Sequence, residues 1–332
     1  MGHVMRCIAI AQALVNFGFS PIFVCRRLEG NAIEMIREHG FNIFILTSDT
    51  WKKDAEELLT ISKKIGIKNI LVDLSHQDTL GDRDGFVFFL NILTQSKFKV
   101  SLIEGMRGEC ISLDLPLPVA NVIVPYFGAD KFSYKLAPES NLYVGERFFP
   151  LRSEFLKLMQ KSRITKRVAK NILVTLGGGD IGDFNGLIIE ALMFIKSESL
   201  SIKVVGSFNT KLKLGSNIEV IPYTKNIAEL MLWADFAVIG SGLTRYETSF
   251  IGLPSIVFSL NIEHANMVKE FADTGSIIDG GVFFESSAED ISESIKKVLM
   301  NKNLRLNMRA SGMSLIDGNG SGRIAKSALI GF

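Results

Sequence analysis

The stretch Phe236-Ala237-Val238-Ile239-Gly240-Ser241-Gly242-Leu243-Thr244-Arg245-Tyr246-Glu247 decides the fold class. Four apolar residues without alternation read as a strand covered on both faces, and the small residues that follow open a helix. Strand, glycine-bearing turn and helix form the repeating unit of a parallel α/β sheet. Working outward, strands are expected at Asn171–Leu176, Ser201–Val205, Asn217–Ile221, Ser255–Phe258 and Ser276–Ile278. Helices fall between them at Phe184–Ile195, Ile227–Trp233, Leu243–Ile251, Glu263–Asp273 and Ala288–Met300. Helical stretches around Leu304–Met313 and Gly322–Leu329 close the chain, and a helix over Leu151–Lys161 leads in.

The first half repeats the plan. Its strands read as Ser20–Cys25, Asn42–Leu46, Asn69–Asp73, Phe98–Glu104 and Asn121–Val124, with helices at Val4–Phe17, Asn31–His39 and Trp51–Ile65. Thr79–Gln95 fits no single period. A chain of 332 residues is about twice the usual domain size. Two α/β domains are therefore expected, 1–147 and 148–332, with the boundary near Gly145–Pro150. A doubly wound domain normally feeds its first helix from a strand. Met1 leaves no residues for one, so the first domain is read as lacking that strand through a shortened start. Extension upstream is expected to raise heat stability and activity.

Composition narrows the function. Hydrophobic residues make up 47% and charged residues 22%, with a net charge of +2 and no basic stripe. Nucleic acid is not the expected partner; a small anionic ligand needs only a local positive site. The three cysteines, Cys7, Cys25 and Cys110, lack C-x-x-C spacing, and Cys7 and Cys25 read as buried packing residues. Four histidines without paired spacing give no metal site. No apolar run is long enough to span a bilayer and no signal peptide is evident, so a cytoplasmic location is expected.

Ligands of such sheets sit beyond the carboxyl ends of the strands. Gly2-His3-Val4-Met5-Arg6 opens the first helix, where a histidine can serve as a general base or as a mere cap. Ser241-Gly242-Leu243-Thr244 can surround a diphosphate with amides and hydroxyls, with Glu247 one turn on accepting from two ribose hydroxyls; a tight structural turn is the alternative. Gly177-Gly178-Gly179-Asp180 reads equally as a ligand loop or a turn. His76, in Asp73-Leu74-Ser75-His76, lies beyond another strand end.

Taken in order, Gly2-His3-x-x-Arg6, Leu151-Arg152-Ser153-Glu154-Phe155, Gly177-Gly178-Gly179-Asp180 and Ser241-Gly242-Leu243-Thr244 with Glu247 resemble the nucleotide-sugar hydrolases of pseudaminic acid biosynthesis. These enzymes remove UDP from a 2,4-diacetamido-trideoxy sugar. They are similar in turn to glycosyltransferases of type B architecture, such as the peptidoglycan N-acetylglucosamine transferase. The resemblance covers nearly the whole chain and implies two Rossmann-like domains facing across a cleft that binds a UDP-sugar. It implies His3 as the base that activates water, without metal or cofactor. Gly2, Arg6, Asp73, Gly178, Gly179, Asp180, Ser241, Gly242, Leu243, Thr244, Glu247 and Asn266 would bind substrate.

The chain departs from that pattern at Ile103-Glu104-Gly105-Met106-Arg107, after Asp73, and at Glu263, where glutamine is common. Sugar contacts are expected from the loops Ser75–Asp82 and Glu104–Glu109. Two other readings stay open: a transferase using the same nucleotide site, and a non-catalytic nucleotide-sugar binding subunit.

Overall fold

The computed structural model describes residues 2–27, 32–74, 81–106, 110–158, 164–176, 183–195, 197, 199–206, 214–222 and 224–330. The chain divides into two compact units, Met1–Arg152 with Gly318–Phe332, and Ser153–Asp317.

The second unit is one six-stranded parallel sheet. Its strands are β7 (Asn171–Thr175), β8 (Ser201–Val205), β9 (Ile218–Ile221), β10 (Phe236–Gly240), β11 (Ser255–Ser259) and β12 (Ile278–Val282). They lie in the order β12-β11-β10-β7-β8-β9. The order reverses between β7 and β10, and a doubly wound sheet opens its crevice at such a switch point. Ile172, Val174, Val238 and Ile256 are fully buried, because helices cover both faces of the strands that carry them. One covering helix, Phe184–Met193, inserts Phe184 edge-on to Phe283 at 4.3 Å and Phe258 at 5.5 Å.

The first unit is built differently. Its strands form a pair, β1 (Ile22–Arg26) with β2 (Asn42–Leu46), and a separate sheet β3-β4-β5-β6 (Asn69–Val72, Lys99–Ile103, Asn121–Val124, Asn141–Val144), all parallel. Helix α1 (Gly2–Asn16) serves both. Ile8, with Val4 and Met5 beside it, packs with Phe23 and Ile43, while Ile10 packs with Ile103 and Ile123. Residues two apart on a helix point in different directions, so one apolar helix can cover two sheets.

The structure differs from the sequence expectations at five places. Asn141–Val144 is a strand that the pattern did not single out. Thr79–Gln95 contains a helix, Arg83–Gln95, capped by Asp82 and burying Phe86, Phe89, Leu90 and Leu93. The exposed Phe88 had blurred that helical period. Ser276–Ile278 is replaced by the later strand Ile278–Val282. Gly280 resembles a turn signal, yet a Cβ there would meet the Phe258 ring at 2.8 Å, so the glycine serves strand packing. The helix expected over Leu151–Lys161 is only Ser153–Leu156 among the described residues.

The fifth difference is that residues 318–332 return to the first unit. Gly320 packs against Phe149 so closely that a Cβ would overlap its carbonyl. The turn that follows, Ala325–Ile330, is a π-helix, whose wider winding frees carbonyls from the usual ladder. Asn121 and Ser101 donate to the Ala328 carbonyl at 2.8 and 3.2 Å, and the Tyr143 hydroxyl to that of Ser327 at 3.0 Å.

Candidate functional site

In the first unit the polar chemistry gathers where α1 begins and β3 ends. Gly2 is the first residue of α1, and His3 follows with its side chain 34% exposed. Asp73, directly after β3, is 1% exposed. His3 Nδ1 lies 2.7 Å from Asp73 Oδ1. Arg6 Nη2 lies 2.8 Å from the same Nδ1; hydrogen on Nδ1 suits the carboxylate, which only accepts, and a lone pair there suits the guanidinium, which only donates.

Arg6, one turn along α1, holds that carboxylate from the other side. Its Nε and Nη2 donate to the two oxygens of Asp73, each at 2.5 Å, and Nη1 donates to the hydroxyl of Tyr126. Burial raises the Asp73 carboxyl, but the Arg6 guanidinium and the His3 contact overcome it and pull the pKa down to about 2. Burial alone would lower Arg6; Asp73 reverses this and leaves it above its usual value. Asp73 and Arg6 are thus a neutralised buried pair, and His3 is the member that reaches solvent. Cys7 is half-buried rather than fully buried, and its thiol donates to Asp73 at 3.3 Å. Burial, with Asp73 adding to it, keeps this thiol protonated. Cys25 is also half-buried.

In the second unit the loop after β10 stands at the switch point. Ser241 is 3% exposed, and its carbonyl is held by Arg245, itself 2% exposed and stacked on Tyr246 and Phe271 at 5.0 and 5.5 Å. The Ser241 hydroxyl meets His264 Nδ1 at 3.2 Å. Two glycines here differ. A Cβ on Gly240 would press on the Leu176 carbonyl at 3.0 Å, so packing requires that glycine. A Cβ on Gly242 would meet nothing within 4 Å. Leu243 and Thr244 are half-buried, and Glu247 is 7% exposed. Asn266 and Glu263 are exposed on the helix Ile262–Ala272, which Asn261 caps by accepting from the His264 amide at 2.8 Å.

Gly178, Gly179, Asp180 and His76 lie outside the described residues. Glu104 is spent on its own loop: it is buried and accepts from the amides of Ile111 and Ser112 at 3.2 and 2.9 Å. Burial raises its carboxyl, against those amides. The sequence reading missed Tyr126, His264 and the part played by Arg245. Arg245 stands inside the quoted loop, and a cation one turn after a serine can reach back to its carbonyl. Tyr126 and His264 meet their partners only through the tertiary fold.

No protein-family model matches the chain. An uncharacterized protein of Methanocaldococcus jannaschii is 28% identical over 282 residues, 79% of this chain and 53% of that protein. The chain therefore spans about half the length of that relative. The spore coat polysaccharide biosynthesis protein SpsG of Bacillus subtilis is 24% identical over 98% of this chain and 92% of its own.

Among solved structures, MurG of Acinetobacter baumannii superposes with a TM-score of 0.66 at 13% identity, covering 98% of this chain and 96% of that one. The UDP-GlcNAc 2-epimerase of Neisseria meningitidis bound to UDP-GlcNAc gives 0.64 at 15%, covering 97% and 95%. The spinosyn rhamnosyltransferase SpnG complexed with thymidine diphosphate gives 0.65 at 13%, covering 98% and 96%. The fold is α/β with two Rossmann-like units, the glycosyltransferase type B class. Within that fold a transferase and an epimerase both occur, so the reaction is a matter of the site.

Proposed function

We propose that this protein binds a UDP-sugar and transfers its glycosyl group to an acceptor hydroxyl in polysaccharide biosynthesis. The observation that carries the reading is the contact of the solvent-reaching His3 with the buried Asp73 at 2.7 Å; with hydrogen on Nδ1 directed at that carboxylate, Nε2 is the general base. In this reaction Nε2 takes the acceptor proton as the acceptor oxygen bonds to the anomeric carbon. The bond from that carbon to the diphosphate oxygen breaks, and UDP leaves with the electron pair. Arg6 and Asp73 act as positioning residues that fix the imidazole.

The loop Ser241–Thr244 receives the diphosphate on its hydroxyls and amides. Among the described residues nothing lies within 4 Å of a Cβ built on Gly242, which leaves room for that close approach. Glu247 takes the ribose hydroxyls. Gly2, Gly178, Gly179, Asp180, Leu243 and Asn266 belong to the same proposal by their places in the pattern. Likeness to SpsG over 98% of the chain supports the polysaccharide setting, and neighbours bound to UDP-GlcNAc or thymidine diphosphate support the nucleotide.

Hydrolysis is the second reading, favoured by the order of the motifs from Gly2-His3-x-x-Arg6 to Glu247. Only the acceptor differs, water in place of a hydroxyl. UDP release from UDP-N-acetylglucosamine and related UDP-sugars, with and without saccharide acceptors, tests both. Release that depends on acceptor supports transfer, and catalytic release in water alone supports hydrolysis. Nucleotide binding with no turnover under either condition would leave a binding subunit.

A further inference from the structure

The first unit carries a second polar site outside the His3 cluster, a cavity of about 470 Å³. It lies at the carboxyl ends of β1 and β2. Arg26 is the last residue of β1, and Thr50, Trp51 and Lys52 stand in the segment that follows β2 and opens the helix Trp51–Ile65. Asp82 and Phe88 enter from the helix Arg83–Gln95 and its cap.

Its walls are fixed. Trp51 is 9% exposed and held against Phe86 and Phe89 at 5.4 and 5.6 Å. The Arg26 guanidinium lies over the indole at 5.0 Å and is anchored by Nε to Asp54 at 2.7 Å. Asp54 is 3% exposed and also accepts from the Ser48 hydroxyl. Gly85 lets the two helices close on one another, because a Cβ there would overlap Trp51 and Asp82. Arg26 and Trp51, each held by these contacts, line an opening rimmed by Phe88, an aromatic ring left 49% exposed.

The lining selects the class of ligand. Arg26 is matched by Asp54 behind it and Lys52 stands with Asp49 and Asp82, so the described lining offers no surplus positive charge to an anion. It offers donors, acceptors and aromatic surface together, the combination suited to a neutral ring with hydroxyls on its edge and C–H groups on its face. A volume of 470 Å³ lies in the range of small-ligand sites. We infer that this cavity binds a saccharide ring.

The two tryptophans, Trp51 and Trp233, make the test direct. In a Trp233→Phe protein the emission reports Trp51 alone. N-acetylglucosamine, galactose and rhamnose are titrated separately, with inorganic phosphate as the anionic arm. At least one saccharide is expected to change the emission saturably, at about millimolar concentration. Phe88→Ala is expected to weaken that response by about fivefold, the scale of one exposed aromatic contact. A saturable response to phosphate alone would make this an anion site and overturn the inference. Silence toward all three sugars, or a sugar response untouched by Phe88→Ala, would overturn it too. UDP titrated into the same protein by calorimetry tests the proposed function separately, since a lost sugar response with intact UDP binding condemns only the cavity.

Discussion

The two units share strand-turn-helix chemistry and spend it differently. The second is one continuous sheet whose switch-point loop presents hydroxyls, a glycine open to space and a buried glutamate, with Arg245 fixing the loop from behind. Little in it needs to move a proton. The first is two sheets joined by α1, and at the start of α1 sits a histidine-aspartate-arginine cluster in which one member reaches solvent. A buried ion pair is costly unless each charge is matched; here the matching leaves His3 oriented. The contrast suggests a division of labour in the proposed reaction, with proton transfer in the first unit and nucleotide grip in the second.

The strongest way to break that contrast is His3→Ala. Turnover is expected to fall by about 10²–10⁴-fold, the usual contribution of a positioned base, with UDP affinity nearly unchanged. Steady-state UDP release checks this, and near-full turnover would remove His3 from the chemistry.

Asp73→Asn probes the support beneath it. Removing the carboxylate charge leaves Arg6 buried without its counter-ion, a loss of about 3–5 kcal/mol of stability in urea unfolding. The pH dependence has a fixed sign. Asp73 titrates at about 2 in the folded chain and at about 3.9 unfolded, so its stabilisation is present above pH 4 and is lost as pH falls toward 2. It amounts to about 2.6 kcal/mol, and the wild-type advantage over Asp73→Asn should shrink across that window. A constant difference between pH 5 and 2 would contradict the pairing.

In the second unit the effects are smaller and fall on binding. Glu247→Ala should weaken UDP by about 1–3 kcal/mol, the cost of leaving hydroxyl partners unpaired. Gly242→Ala sharpens the point, because the added methyl meets none of the described residues within 4 Å. Stability should stay within about 0.5 kcal/mol, while UDP affinity falls by about tenfold, or 1.4 kcal/mol. Equal affinity for UDP would mean that the glycine serves neither packing nor ligand.

Much of the fold was legible in the sequence because buried parallel strands announce themselves as short apolar runs. Asn42–Leu46, Asn121–Val124 and Ser201–Val205 have the expected bounds. What escaped was set by tertiary contact. Gly280 works as a strand residue because Phe258 fills its side-chain space, and 318–332 returns to the first unit because Gly320 and the Ala328 carbonyl find partners there. At the site, His3 is legible from its local position and Arg6 and Asp73 only through the resemblance, and their convergence across 67 and 70 residues of sequence was not readable. The cavity at Arg26 and Trp51 carried no motif at all.

The division of labour is tested most directly by calorimetric titration of UDP into the wild type, His3→Ala and Glu247→Ala, with UDP-sugar turnover measured on the same samples. The account predicts wild-type UDP affinity in a His3→Ala protein that has lost turnover, and at least about fivefold weaker UDP binding in Glu247→Ala, the low end of an unpaired hydrogen bond. Unchanged UDP affinity in Glu247→Ala, or UDP binding lost with His3 instead, would contradict it.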